Sequence, residues 1–402
     1  MLNIFIVILV DMIGFGIMIP IFAYYVMQLG GGPETATLLM GLYSLAMFIS
    51  APLLGRLSDY YGRKPILMLS MFGACLGYIL LAFADTLWMI ALSRLLSGCM
   101  AGNIAAAQAY IADITDDSNR AKGMGMIGAA FGLGFVIGPA VGSIMAGDDF
   151  ANANFFLPAL SSAALSLISF LGIVFFLKES LSKEDLASSK LKTRVTQWSA
   201  IKTILSRRIL LLIIGCGVLF NLAAGLFEAI FPIWTRDLGL ISGPQGLAPM
   251  LLVSGLTLAA VQGGLVGKLS KKFGEHKLLK FSSWLYAVSM LLMIYTGSKQ
   301  IYWAVLVAMS MQAASTGLMT TCIQSLISQK AGANEKGSVM GVFSSLGTLA
   351  RTIATFSTGF IYVGFGMQSP LILAICSIIA LFFVALAIQR QWFASNMQNS
   401  SL

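Results

Sequence analysis

Four charged side chains sit inside stretches that are otherwise apolar. Asp11 lies in "DMIGFGIMIP", Arg94 in "RLLSGCMAG", Glu228 in "FEAIFPIW" and Arg351 in "SLGTLARTIATF". Charges in such surroundings are costly and mark functional positions. A carboxyl in an apolar interior takes up a proton more readily than in water, and an approaching guanidinium drives it off again. Asp11 and Arg94 are therefore the candidate proton-coupling pair. Along their helices they differ in depth by ~10 Å at 1.5 Å per residue, so direct contact needs tilt or a second state; a permanent ion pair is the alternative. Glu228 and Arg351 are candidates for substrate binding or a second coupling step. Glu228 either reaches the outer interface or pairs with Arg351.

Other polar residues within apolar stretches are Asn103, Gln108, Asn221, Gln262, Gln312 and Gln324. Each suits a substrate contact or a cross-helix hydrogen bond, and packing is the simpler reading. The single histidine, His276, falls in a polar loop and cannot carry protons through the apolar part. One loop histidine supplies neither a Ser–His pair nor a His/Asp cluster, so no catalytic set is expected. The five cysteines lie in apolar stretches without metal-ligand spacing, so neither disulfides nor a metal is expected. No cofactor is expected.

Two strings have specific spacing. Gly55–Pro65 reads "GRLSDYYGRKP" and recurs in weakened form as "GKLSKKFGEHK" at Gly267–Lys277, with Lys271 in place of Asp59. Gly62 permits a tight reversal, and Asp59 is placed to meet the positive end of a helix. Arg63 and Lys64 are placed to meet acids such as Asp113. The second string, "GAAFGLGFVIGPAVGS" at Gly128–Ser143, forms a ridge of Gly128, Gly132, Gly134, Gly138 and Gly142. Small residues let helix backbones approach, and Pro139 frees a carbonyl and bends the helix.

The elements that hold these residues follow from composition. The chain has 402 residues, 58% hydrophobic and only 10% charged, with a mean hydropathy of +0.87. Soluble domains carry about 25% charged residues, so a soluble or disordered chain is excluded. Apolar stretches define twelve spans, near 4–28, 37–58, 66–84, 87–112, 123–146, 154–177, 209–232, 247–267, 278–297, 301–327, 338–364 and 370–389. Each approximates the ~20 residues that cross a bilayer. With the N-terminus inside, 21 of the 25 Lys and Arg fall in cytoplasmic segments, and only Arg236 and Lys299 outside. The net charge of +9 is thus topogenic and does not point to nucleic acid. No cleavable signal is expected before the first span. Residues 178–208 form the one long polar loop and divide residues 1–177 from 209–402, two six-span bundles of the kind transporters use. Trp88, Trp234 and Trp303 fall near outer ends, as an interfacial belt would.

Gly55, Leu57, Asp59, Gly62, Arg63, Lys64 and Pro65 match the signature loop of the major facilitator superfamily; Tyr60 departs from its usual basic residue. The resemblance implies twelve transmembrane helices in two six-helix bundles and alternating access. It implies that Asp59 meets the start of the eleventh span near Gly337, with Gly55, Asp59, Gly62, Arg63, Lys64, Asp113 and Arg120 forming a cytoplasmic gate. Gly134, Gly138, Pro139 and Gly142 resemble the antiporter motif of its drug/proton exporters, with Ser143 replacing the final glycine. "DMIGFGIMIP" resembles the first helix of the tetracycline-type exporters, and Arg94–Gly102 the fourth-span motif of proton-coupled members. Three polar residues of that branch are absent: Gly77 precedes "YILLAF" where it has an acid, Trp284 stands at its ninth-span acid, and the eighth-span histidine is missing, although Gln262 is kept. These departures argue against tetracycline itself. The implied activity is proton-coupled export of small amphipathic compounds by a monomer in the cell inner membrane, both termini cytoplasmic. An importer or exchanger of a specific metabolite or metal-chelator complex is the alternative, ahead of a non-transport membrane protein.

Overall fold

A computed structural model describes residues 1–116, 120–181, 204, 206–332 and 336–400; side chains at 120–122, 124, 336 and 390–400 lie outside the description. Among the described residues, twelve helical segments are long and apolar enough to cross a membrane, and none is a strand. In chain order they are Leu2–Gln28, Pro33–Tyr61, Arg63–Ala82, Leu87–Ile114, Gly125–Ala146, Phe156–Phe176, Arg208–Asp237, Pro244–Phe273, Glu275–Ser298, Tyr302–Lys330, Gly337–Phe365 and Ser369–Gln389, the first to twelfth spans. The protein is an all-α, multi-pass membrane protein. Lipid leaves no alternative for a chain of this composition, because every spanning backbone group must be satisfied within the segment.

Local chemistry sets the ends and breaks of these helices. Pro33 opens the second span, where its missing N–H costs nothing. The Thr86 side chain accepts from the Met89 N–H and caps the fourth. Gly62 separates the second and third spans with φ +106°, and Gly274 separates the eighth and ninth with φ +78°; both angles suit glycine alone. Three spans are interrupted. The first changes from Leu2–Met18 to Phe22–Gln28 around Pro20. The fourth changes from Leu87–Met100 to Asn103–Ile114 at Ala101 and Gly102. The eighth widens into a π-turn at Val261–Leu265, which contains Gly263 and Gly264. π-Turns of this kind gather at functional sites.

The chain clusters into two compact units, Met1–Thr193 with Ile241–Gly255, and Arg194–Leu240 with Leu256–Leu402. The division therefore passes through the eighth span as well as the central loop. In the first unit, the first span packs on the fifth and sixth, and the third on the fourth and sixth. In the second unit, the seventh packs on the eleventh and twelfth, and the ninth on the tenth and twelfth. The internal pairing of one unit thus repeats that of the other. The early part of the eighth span joins the first unit through the Gln245 N–H, which donates to the Gly147 carbonyl at 2.9 Å. Most of the central loop lies outside the described residues.

The tryptophan belt needs a correction. Trp88 and Trp303 are 85% and 76% exposed, as interfacial residues should be, but Trp234 is fully buried. Its ring lies over Gly297, and its Nε1 donates to Gln368 Oε1 at 3.0 Å. The absent side chain at 297 makes room for the indole, and Gln368 satisfies its one polar atom. Trp234→Phe should cost about 1 kcal/mol through the lost hydrogen bond. Trp234→Ala should cost ~3–5 kcal/mol through the cavity it leaves. Thermal unfolding of the purified protein in detergent measures both.

Candidate functional site

Asp11 is 5% exposed on the first span. Its Oδ2 accepts a hydrogen bond from Asn103 Nδ2 at 2.6 Å. Asn103 opens the second helix of the broken fourth span, and its Oδ1 accepts from the Ile104 N–H at 2.9 Å. That bond fixes the amide orientation: the oxygen is occupied locally, so the nitrogen faces Asp11 as a donor. The break at Ala101 and Gly102 thus positions the partner of the buried carboxylate.

Arg94 is elsewhere. It belongs to the first helix of the fourth span and is 6% exposed. Its guanidinium carbon lies 5.0 Å from the ring centre of Phe22, 5.9 Å from Tyr43 and 5.8 Å from Tyr78. Its Nη2 donates to Ser93 Oγ at 3.3 Å. Aromatic faces stabilise the cation where no carboxylate reaches it. Among the described residues no ion pair joins Asp11 to Arg94, so the structure brings Asp11 to Asn103 instead. Sequence reading gave Asn103 a cross-helix hydrogen bond as one role, but did not name Asp11 as its partner.

The glycines of the fifth span divide by neighbour. A Cβ on Gly138 would lie 2.6 Å from the Ile13 carbonyl oxygen and 2.7 Å from Gly16 Cα. Cβ atoms on Gly134 and Gly142 would run into Met12 and Ile17. Pro139 Cδ lies 3.0 Å from where a Cβ on Gly16 would stand. These residues follow Asp11 directly, so the glycine contact seats the span that carries the carboxylate. Gly128 and Gly132 face open space. The close-packed ridge is therefore Gly134, Gly138 and Gly142, shorter than the sequence suggested.

Where the second span ends, the third begins and the fourth ends, Arg63 forms a polar node. Nη1 donates to Ser58 Oγ at 2.8 Å and pairs with Asp59, while Nε donates to Asp113 Oδ2 at 3.0 Å. The node ties three helix ends through one guanidinium, a planar donor suited to several acceptors at once. Lys64 takes no acid in these contacts: its Nζ donates to the Val174 carbonyl at 2.9 Å. Gly55 faces open space. Arg120 opens its helix, but its side chain lies outside the described residues. Two further residues belong to the node. Glu179 accepts from the Arg63 and Lys64 N–H groups at 2.9 and 3.0 Å, capping the third span. Ser180 Oγ donates to Asp113 Oδ2 at 3.0 Å. Both lie in the polar loop, whose charges sequence reading assigned only to topology.

In the second unit, Arg351 Nη1 donates to Glu228 Oε2 at 2.5 Å, which joins the eleventh and seventh spans. A Cβ on Gly225 would lie 3.0 Å from the Arg351 carbonyl oxygen, so the two backbones meet one turn away. The side chains remain partly exposed. Gln262 is exposed within the π-turn of the eighth span. Asn221 Nδ2 donates to the Gly217 carbonyl at 2.9 Å and Gln312 Nε2 to Thr316 Oγ1 at 3.2 Å, both within their own helices.

The sequence profile described as Major Facilitator Superfamily matches residues 4–355. The chain is 30% identical over 358 residues to the class H tetracycline resistance protein of Pasteurella multocida, covering 88% of this chain and 86% of the relative. It is 31% identical to the class B protein of Escherichia coli, covering 88% and 86%. It is 30% identical over 278 residues to multidrug resistance protein 2 of Bacillus subtilis (strain 168), covering 68% and 67%. The solved structure of the human organic anion transporter MFSD10 superposes with a TM-score of 0.68 at 22% identity, covering 95% of this chain and 98% of that one. At that identity the likeness shows the fold.

The two classes of glycine make a paired prediction. Gly138→Leu forces a side chain into the backbone of the first span and should destabilise by ~3 kcal/mol or more. Gly128→Leu adds a side chain to open space and should leave stability within about 0.5 kcal/mol. Melting temperatures of the two purified variants, measured side by side, check the difference.

Proposed function

Since the chain belongs to the Major Facilitator Superfamily, we propose that it is a proton-coupled secondary transporter that exports small amphipathic compounds by alternating access. Its relatives named for tetracycline and multidrug resistance support export. The observation that carries the coupling is the buried Asp11 carboxylate, held by one amide donor beside the glycine contact of the first and fifth spans.

Asp11 is the proton carrier in this reading. Ionised, it accepts from Asn103 Nδ2, an amide with its oxygen already committed to Ile104. A donor on a carboxylate is a charge-assisted bond and holds that form. Proton uptake removes the charge and weakens the tie between the first and fourth spans. Proton release restores it. Arg94 assists from its aromatic cage as a nearby positive charge. The bundles 1–177 and 209–402 are the moving parts, and loop 178–208 links them on the cytoplasmic side. Gly55, Asp59, Gly62, Arg63, Lys64, Asp113 and Arg120 serve as the cytoplasmic gate, with the Arg63 node holding its helix ends together. Glu228, Arg351 and Gln262 contribute to substrate binding or a second coupling step from the other bundle.

The protein acts as a monomer in the cell inner membrane with both termini cytoplasmic. Its partners are the bilayer, protons and the exported compound, and it engages no nucleic acid. The positive-inside distribution of Lys and Arg supports this orientation. It performs transport, not catalysis.

Export is tested by substrate flux in sealed proteoliposomes over a panel of amphipathic compounds that includes tetracycline, with and without an imposed pH gradient. Wild-type protein should accumulate at least one compound when the pH difference is the only driving force. Asp11→Asn preserves size and cannot release a proton. It should abolish accumulation while retaining exchange down a substrate gradient. Accumulation by Asp11→Asn would move the proton-carrier role to another acid, Glu228 first.

A further inference from the structure

The weak repeat of the signature loop keeps more than its glycines. At one constant offset Ser58 corresponds to Ser270, Gly62 to Gly274, Arg63 to Glu275 and Asp113 to Ser325. Gly62 and Gly274 both take positive φ and both begin the next helix. In the first unit, Arg63 donates to Ser58 Oγ and to Asp113 Oδ2. In the second, Glu275 Oε1 accepts from Ser270 Oγ at 3.0 Å, from Ser325 Oγ at 3.2 Å and from Gln329 Nε2 at 3.2 Å. Corresponding positions are thus tied in both units, with polarity reversed. A cation donates to oxygens in one, and an anion receives hydroxyl and amide donors in the other.

We propose that Glu275 is the positioning residue that latches the inner end of the tenth span to the turn between the eighth and ninth, a second cytoplasmic latch of opposite charge. The weakened repeat directs attention to Lys271, which replaces Asp59, but the conserved geometry centres four residues later. Donors converging on one carboxylate oxygen form charge-assisted bonds, stronger than neutral ones. The partners lie on two other helical segments, Val266–Phe273 and Tyr302–Lys330. A carboxylate acting only on its own helix dipole would need neither of them. The latch keeps the helix ends of the second unit together, as Arg63 does in the first, and rests on the transport reading only for its purpose.

The test reads the position of the tenth span without any substrate. Cys322, one turn before Ser325, is 1% exposed, and Cys75 of the first unit is 4% exposed. Full-length protein in proteoliposomes is treated with N-ethylmaleimide, and labelling of each cysteine is followed by mass spectrometry. Glu275→Ala should raise the Cys322 labelling rate about tenfold, as local opening exposes it, and leave Cys75 unchanged. Glu275→Gln keeps an accepting oxygen and should stay near wild type. The double variant Ser325→Ala, Gln329→Ala leaves the carboxylate at its helix start and its Ser270 bond but removes the links to the tenth span, and should behave like Glu275→Ala. If Glu275→Ala is not recovered folded, the double variant alone decides. Unchanged Cys322 labelling overturns the latch. So does equal labelling in the alanine and glutamine variants, or a matching rise at Cys75. Absence of drug flux in the wild-type protein, with this labelling pattern obtained, would instead count against the export reading.

Discussion

The backbone of the first span lies directly on the fifth, and the rest of the first unit's chemistry depends on that contact. It exists because Gly134, Gly138 and Gly142 present no side chain to Met12, Ile13, Gly16 and Ile17. In lipid, helices gain nothing from hiding apolar surface, so close van der Waals approach and interhelical hydrogen bonds must hold them. The ridge supplies the first on the residues just after Asp11. The second comes from Asn103 on the other side, and from Ser162 Oγ and Ser169 Oγ, which donate to the Gly14 and Val7 carbonyls at 2.8 and 3.1 Å. A carboxylate gripped between a fixed backbone and a fixed amide is preorganised. In the proposed coupling, that grip is what would give its protonation a mechanical consequence.

The twelve spans were legible in the sequence because lipid imposes length and hydropathy on each segment separately. Arg63 with Asp113 was legible for a similar reason, since a cation and an acid at the ends of neighbouring spans have few other places to go. Asn103 was not. Its role depends on a helix break at Ala101 and Gly102 that turns one ordinary amide into a capped, oriented donor. Charge suggested Arg94 as the partner of Asp11, although helix spacing set the two ~10 Å apart in depth. The aromatic rings of Phe22, Tyr43 and Tyr78 come from three different helical segments and meet Arg94 only in space. Trp234 failed for the same reason: its place near a span end suits a belt, and the missing side chain at Gly297 decides otherwise.

The two halves show how one local architecture tolerates a change of sign. A helix reversal at a positive-φ glycine brings the next residue back against the preceding turn and the neighbouring span. The geometry asks for a side chain with several hydrogen-bonding sites at that point, and either guanidinium or carboxylate answers it. What must change together is the surrounding set: acids and a hydroxyl around Arg63, hydroxyls and an amide around Glu275. Sequence comparison registers such coordinated replacement as decay, because it scores positions singly. The physical unit is the node, and the node persists.

The same logic bears on one departure from the tetracycline-type pattern. The tetracycline-type branch that the sequence resembles places an acid where Gly77 stands, and the structure shows what occupies that volume here. A Cβ on Gly77 would run into Ser97 Oγ, and Ser93 Oγ donates to the Gly77 carbonyl at 2.8 Å. The third and fourth spans have closed over the position. An acidic side chain would force them apart and break that hydrogen bond. Closure also brings Tyr78, the next residue, over Arg94. Aromatic faces screen the guanidinium, and among the described residues the buried charges within this bundle's spans, away from their ends, are Asp11 and Arg94. Neither has an ionic partner among the described residues: Asp11 is tied to the Asn103 amide, and Arg94 to three rings and the Ser93 hydroxyl.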